Sequence, residues 1–171
     1  MPTNLELKAR YPSTRLAEHY ARRLNARRVG LLKQLDTYYR VRRGRLKVRE
    51  MNNKQFELIY YQRSDAKSSR YSRYHVIPLA APGTMKDVCA MLFGEGAIVR
   101  KQRLLYRFKN ARIHIDRVRG LGSFVEFEVL VTKGKRQAEE LMGTLRDAFG
   151  LSSRSIVGQS YSDLLKKKRT T

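Results

Sequence analysis

At 171 residues the chain is long enough for one domain with a real core and too short for two comfortable ones. Its 37 Lys and Arg against 15 Asp and Glu leave a formal charge of +22, which calls for an anionic partner: nucleic acid, a phosphorylated small molecule or a membrane surface. The single cysteine, Cys89, excludes an intramolecular disulfide and fits a reducing compartment; without a secretory signal or an apolar run of spanning length, the expectation is a cytoplasmic protein with no membrane segment.

The chain opens with an alternating strand, NLELKAR, in which Leu5, Leu7 and Ala9 oppose Asn4, Glu6, Lys8 and Arg10. Ser13, after Pro12, is placed to cap a helix with Leu16, Ala17, Tyr20, Ala21 and Leu24 on one face. DTYYRV reads as a strand, and so does GRLKVRE, with Leu46 and Val48 opposing Arg45, Lys47 and Arg49. FELIYYQR is a further strand, followed by the small polar segment 64–70. Thr84 predicts the cap of a second helix through Met85, Val88, Cys89 and Leu92, ended by Gly94, with Cys89 as buried packing.

In VRKQRLLYRF, Lys101 and Arg103 share a face opposite Gln102, Leu104 and Tyr106. In ARIHID, Arg112, His114 and Asp116 oppose Ile113 and Ile115. Gly120 and Gly122 predict a hairpin turn into FVEFEVLV, where Glu126 and Glu128 lie opposite Val125, Phe127, Val129 and Val131. A third helix is expected from about Lys135 to Phe149, ended by Gly150. Ser160 and Asp163 form a capping-box pattern opening a last helix over about 160–167, with a frayed basic tail at 168–171.

Each strand thus has one charged and one apolar face. An ordinary antiparallel sheet would turn the charges to water. Here, however, the charges are sorted by strand, carboxylates (Glu6, Asp116, Glu126, Glu128) on some and cations (Lys47, Arg49, Lys101, Arg103) on others. The amphipathic helices are available to cover the apolar face of a sheet curled around its charged one. Charged inner walls are costly unless the charges pair or a ligand neutralises them. A triphosphate with a divalent cation does this, cations holding phosphate oxygens and carboxylates holding the metal.

Taken in order, NLELKAR, QLDTYYRVRRGRLKVRE, ELIYYQR, VRKQRLLYRF, RIHIDRVRGLGSFVEFEVLV and the closing FGL…SYSDLL resemble the CYTH, or triphosphate tunnel, family, and most its class IV adenylyl cyclase-like branch. The resemblance covers nearly the whole chain as one CYTH domain, 1–171. It implies an α+β fold: a closed antiparallel β-barrel of about eight strands with helices packed outside. It implies Glu6, Glu126 and Glu128 as metal ligands and Asp116 as a further ligand or an acid supporting them, with Glu126, Glu128 and Asp116 as the catalytic residues. Lys8, Lys47, Arg49, Arg63, Lys101, Arg103 and Arg112 become phosphate-binding cations, with Arg10, Arg45, Arg70 and Arg73 as weaker candidates. Asn4 stands where the family signature begins with Glu, and brings a carbonyl oxygen without charge.

His114 faces the charged side by parity and is a candidate proton shuttle; Tyr38 and Tyr39 are wall or core residues. No P-loop and no Cys/His zinc spacing occurs, which favours Mg2+ or Mn2+. The expected activity is metal-dependent hydrolysis of a nucleoside, inorganic or organic triphosphate such as ATP. The alternatives are cyclisation of ATP to cyclic AMP and pyrophosphate, an RNA 5′-triphosphatase, or a basic nucleic-acid-binding protein. The charge exceeds what a triphosphate channel requires, so a second, nonspecific RNA, DNA or polyanion surface is expected, with Arg22, Arg23, Arg27, Arg28 and Lys166–Lys168 as candidates. Monomer and homodimer both stay open.

Overall fold

The period-2 alternation decides the architecture, because strands with one apolar face must bury that face somewhere. In the computed structural model, which describes residues 3–169, they bury it outward. The elements run β1 (Thr3–Arg10), α1 (Thr14–Arg23), β2 (Arg27–Tyr39), β3 (Arg45–Met51), β4 (Gln55–Arg63), β5 (Arg70–Pro78), α2 (Pro82–Phe93), β6 (Glu95–Phe108), β7 (Ala111–Val118), β8 (Gly122–Leu130), α3 (Lys135–Ala148) and α4 (Tyr161–Arg169). The eight strands close into an antiparallel barrel in the order β1-β5-β4-β3-β2-β6-β7-β8.

The main core lies outside the barrel wall. Leu5, Leu7, Ile113, Ile115, Val125, Phe127 and Val129 meet Ala17 and Ala21 of α1 and Leu141, Met142 and Leu145 of α3, all buried. Ser13 caps α1 by accepting from the Leu16 N–H at 3.1 Å, although Leu16 itself is exposed. Gly150, in the left-handed region at φ 60°, follows α3 as expected.

Four sequence expectations shift. The second helix begins at Pro82, with no side-chain cap; a proline in the first turn lacks only an N–H that would be unpaired there, so Thr84 falls inside the helix. Of its expected apolar face, Cys89 is buried with Tyr39, Leu46 and Val48, whereas Val88 and Leu92 are exposed. β2 begins well before DTYYRV, at Arg27, because its N-terminal half pairs with the long β6. The last helix runs through Arg169, beyond the expected boundary at 167; the remainder of the expected frayed tail, 170–171, lies outside the described residues.

α4 fixes one end of the barrel. Its Tyr161 packs on Tyr38, Val99, Val118 and Phe124, which alternation turns inward, so this end of the interior is apolar. The Ser160–Asp163 capping box forms reciprocally, the Ser160 N–H donating to Asp163 Oδ2 at 3.1 Å and the Asp163 N–H to Ser160 Oγ at 3.2 Å. The preceding strap pairs with β1 through the Val157 N–H and the Lys8 carbonyl at 2.8 Å. Gly158 lets it pass under the β4–β5 loop, since a Cβ there would sit 2.0 Å from the Asp65 carbonyl oxygen.

Candidate active site

Beyond the apolar end, the barrel encloses a cavity of about 210 Å³. Every cation expected to bind phosphate lines it: Lys8, Lys47, Arg49, Arg63, Lys101, Arg103 and Arg112. Glu6, Glu126, Glu128 and Asn4 line it as well. Each reaches the interior by strand parity; most alternate with apolar residues buried outside the barrel, whereas Lys101 and Arg63 have exposed polar neighbours.

The cationic side is built on β2, β3 and β6 around Asp36. This fully buried carboxylate accepts from Lys47 Nζ at 2.9 Å and Lys101 Nζ at 3.0 Å, and from Arg49 through Nε at 2.7 Å and Nη2 at 3.0 Å. Burial alone would raise the Asp36 carboxyl; Arg49, Lys101 and Lys47 outweigh it and hold the pKa well below the ordinary range. Burial, reinforced by Arg49, lowers Lys47 to about 7. Burial likewise lowers Lys101.

The acidic side is built on β1, β7 and β8. Glu6 sits directly opposite Glu128 across the β1–β8 ladder, and Lys8 opposite Glu126. Glu126, Glu128 and the Nδ1 of His114 offer ligand atoms within 4.8 Å of one another. Glu6 faces this trio without belonging to it. Burial, together with Glu128 and Glu126, raises Glu6 to about 7. Burial opposes ionisation of Glu126 too, but His114 and Arg103 overcome it and lower the pKa well below the ordinary value. Arg103 Nη2 reaches Glu126 at 2.8 Å, and Arg112 Nε reaches Glu128 at 3.1 Å.

Asp116 stands apart. Fully buried and outside the cavity lining, it holds Arg103 in a fork at 2.7 and 2.6 Å and accepts the Tyr161 hydroxyl at 2.9 Å. Its oxygens are committed, and its place in the structure is to orient Arg103 toward Glu126. Two of the cavity cations have backbone partners, Arg63 donating to the Gly158 carbonyl at 3.3 Å and Lys8 to that of Gln159. The weaker candidates lie elsewhere: Arg10 and Arg73 are exposed, Arg45 pairs with Asp65 and Asp163, and Arg70 reaches the carbonyls of Ala66 and Val157. Tyr38 lines the cavity, and Tyr39 belongs to the outer core.

The donor set suits a hard divalent cation. It is dominated by carboxylate oxygens, and both Asn4 Oδ1 and His114 Nδ1 are buried without a hydrogen-bond partner among the described residues. Sequence reading missed Asp36, though it shares inward parity with Tyr38. It also missed the β4–β5 wall, where Ile59 faces Val76 and Tyr61 faces Tyr74 across the ladder, all four lining the cavity.

A closed antiparallel barrel with cations on one inner side and carboxylates on the other defines a triphosphate tunnel. The CYTH domain pattern matches residues 2–161, and the chain belongs to the CYTH family, whose enzymes act on triphosphates and depend on metal. Among solved structures, the PH1012 protein of Pyrococcus horikoshii OT3 superposes with a TM-score of 0.85 at 21% identity, over 94% of this chain and 98% of that one. A Vibrio parahaemolyticus protein proposed as an adenylate cyclase gives 0.74 at 16%, over 95% and 97%. A Hippeastrum protein described as having a dominant triphosphatase activity gives 0.68 at 12%, over 100% and 97%. These likenesses concern the fold. No curated protein matches the chain.

Proposed function

We propose that the protein is a divalent-metal-dependent hydrolase of triphosphates, with Mg2+ or Mn2+ as the ion. The observation that carries this reading is the division of one barrel cavity into the Asp36-centred cations and the Glu6, Glu126 and Glu128 carboxylates. Seven cations against four carboxylates line it, a balance suited to a polyanion accompanied by a cation.

Glu126 and Glu128 would hold the metal, with Glu6, Asn4 and His114 beside them; when bound, it supplies charge neutralisation at the phosphoryl group being transferred. Lys47, Arg49 and Lys101 hold the phosphate chain extended against the β2–β3–β6 wall. Arg103, fixed by Asp116, presents its guanidinium between the two sides. Phosphoryl transfer is limited by alignment and charge, so this fixed array is the catalytic device. Ile59, Tyr61, Tyr74 and Val76 give the channel one largely uncharged wall, which favours a triphosphate carrying an organic group, such as ATP, over inorganic triphosphate.

The test is a product assay with Mg2+ or Mn2+ across ATP, inorganic triphosphate, thiamine triphosphate and triphosphorylated RNA. Release of phosphate from a small triphosphate is expected. Cyclic AMP with pyrophosphate would replace hydrolysis by cyclisation, and no turnover of any of the four would overturn the reading.

A further inference from the structure

The triphosphate cavity does not use the cations on the outer side of the barrel. Where β2, β6 and β7 run side by side, a groove of about 820 Å³ is lined by the outward residues of these strands together with Gln34, Lys101 and Val118, which have inward parity, and, among the described residues, by none of α1, α2 or α3. Lys33 on β2, Arg100 on β6, and Arg117 and Arg119 at the end of β7 line it, and Lys168 of α4 reaches its edge. The first four are exposed and make no ion pair among the described residues. Among the described residues its single carboxylate, Glu50, is taken by Lys86.

The register sets the spacing. Lys33, Gln102 and Arg117 form one row across the three strands, and Leu35 and Arg100 the next, which the Arg119 N–H extends by bonding the Arg100 carbonyl at 2.9 Å. Neighbouring strands lie about 4.8 Å apart, and same-face residues about 7 Å apart. The cations are therefore spread over a surface. A compact anion would need them to converge on a point; a chain of phosphates needs them spread. Among the described residues the lining contains no aromatic side chain on which an unpaired base could stack. The apolar members of the lining, Val118, Leu35 and Leu121, are buried or half-buried, so the groove presents mainly cations.

We propose that this outer β2–β6–β7 groove binds the phosphodiester backbone of nucleic acid without reading its sequence. Attraction of this kind releases counterions, so it weakens steeply with salt. The groove shares Lys101 with the triphosphate cavity, but Lys33, Arg100, Arg117 and Arg119 belong to the groove alone, and its test does not depend on what that cavity hydrolyses.

The experiment is fluorescence anisotropy of a short RNA duplex with the full chain, between about 50 and about 200 mM salt. The wild type should bind at the lower salt and lose at least about a hundredfold across the range. The variant K33Q/R100Q/R117Q/R119Q should weaken binding by more than about tenfold at low salt and flatten the salt dependence by about three to four contacts' worth. A control with the same charge loss at exposed cations away from the groove, R15Q/R42Q/K109Q/K133Q, should bind as the wild type does. Thermal melts of both verify folding, and inorganic triphosphate hydrolysis is followed in parallel. Equal weakening in both variants would overturn the proposal in favour of diffuse charge attraction. Absence of binding at low salt would overturn it outright. Tighter binding to phosphatidylserine vesicles, or equal competition by polyglutamate, would overturn it in favour of a membrane or an acidic protein.

Discussion

The two sides of the cavity solve opposite electrostatic problems. Around Asp36, one buried carboxylate serves three cations, Lys47, Arg49 and Lys101, and the surplus charge is positive. Around Glu128, three carboxylates crowd together, and the strain shows in Glu6, raised to about 7 by burial and by its neighbours Glu128 and Glu126. The first side is held together by its acid; the second is held apart by its acids. Stability and activity should therefore respond in opposite order to loss of a carboxylate.

Asp36→Asn should have the largest effect on folding. It leaves three buried cations with no carboxylate among them, a loss of about 3–5 kcal/mol by the usual cost of breaking a buried ion pair. Urea unfolding measures it. Inorganic triphosphate should restore much of the stability by replacing the missing negative charge. A variant as stable as the wild type would abolish the distinction between the two sides.

Glu126→Gln and Glu128→Gln should behave in the reverse way. Turnover should fall by at least about a hundredfold, the scale of losing a group fixed for charge stabilisation, while the melting temperature stays near that of the wild type. Glu128→Gln removes a repulsive partner of Glu6 and should be the milder of the two in stability, because Glu126 also answers Arg103. Wild-type turnover in both variants, with metal present, would sink the assignment of the acidic side.

Lys101→Met tests the cationic side without dismantling it, since Asp36 keeps Arg49 and Lys47. The apparent affinity for triphosphate should weaken by about tenfold, roughly one charge-assisted hydrogen bond, with stability unchanged or higher. Arg103→Met is a different experiment. Its removal strands the buried Asp116, so a loss of stability is expected there, and only Lys101 separates binding from folding cleanly.

Much of this site was legible before any coordinates, because alternation is a local property. Glu6, Lys8, Lys47, Arg49, Arg103, Glu126 and Glu128 each have at least one apolar neighbour that must leave the interior, and strand parity with Arg103 then turns Lys101 inward too. What alternation cannot give is register. Asp36 has the same parity as Tyr38, yet its place between Lys47, Arg49 and Lys101 depends on how β2 slides against β3 and β6. The commitment of Asp116 to Arg103 was hidden for a related reason. It depends on Tyr161, which arrives from the end of the chain to share the same carboxylate.

The smallest predicted effect concerns pH and rests on Lys47. Its ammonium faces Asp36, Arg49 and Lys101 and lies 5.2 and 5.7 Å from the rings of Tyr38 and Tyr61. Burial, then Arg49, lowers its pKa from 10.5 to about 7, so the folded, unliganded protein releases this proton near neutrality. The unfolded chain keeps the proton up to about 10.4, so between about 7 and that value the unfolded state binds more protons, and the Lys47 contribution to stability rises with pH. Triphosphate binding carries the opposite sign. A phosphate beside Lys47 favours the ammonium, so binding takes up a proton above pH 7 and the dissociation constant should grow as pH climbs from about 7 toward about 9. Lys8, also lowered to about 7 chiefly by burial, adds to the slope, so Lys47→Met should flatten both trends without removing them. Calorimetric titration in buffers of differing ionisation enthalpy reads the proton uptake directly. Uptake that is identical in the wild type and in Lys47→Met would show that this lysine stays charged throughout, and that Asp36 compensates its burial fully.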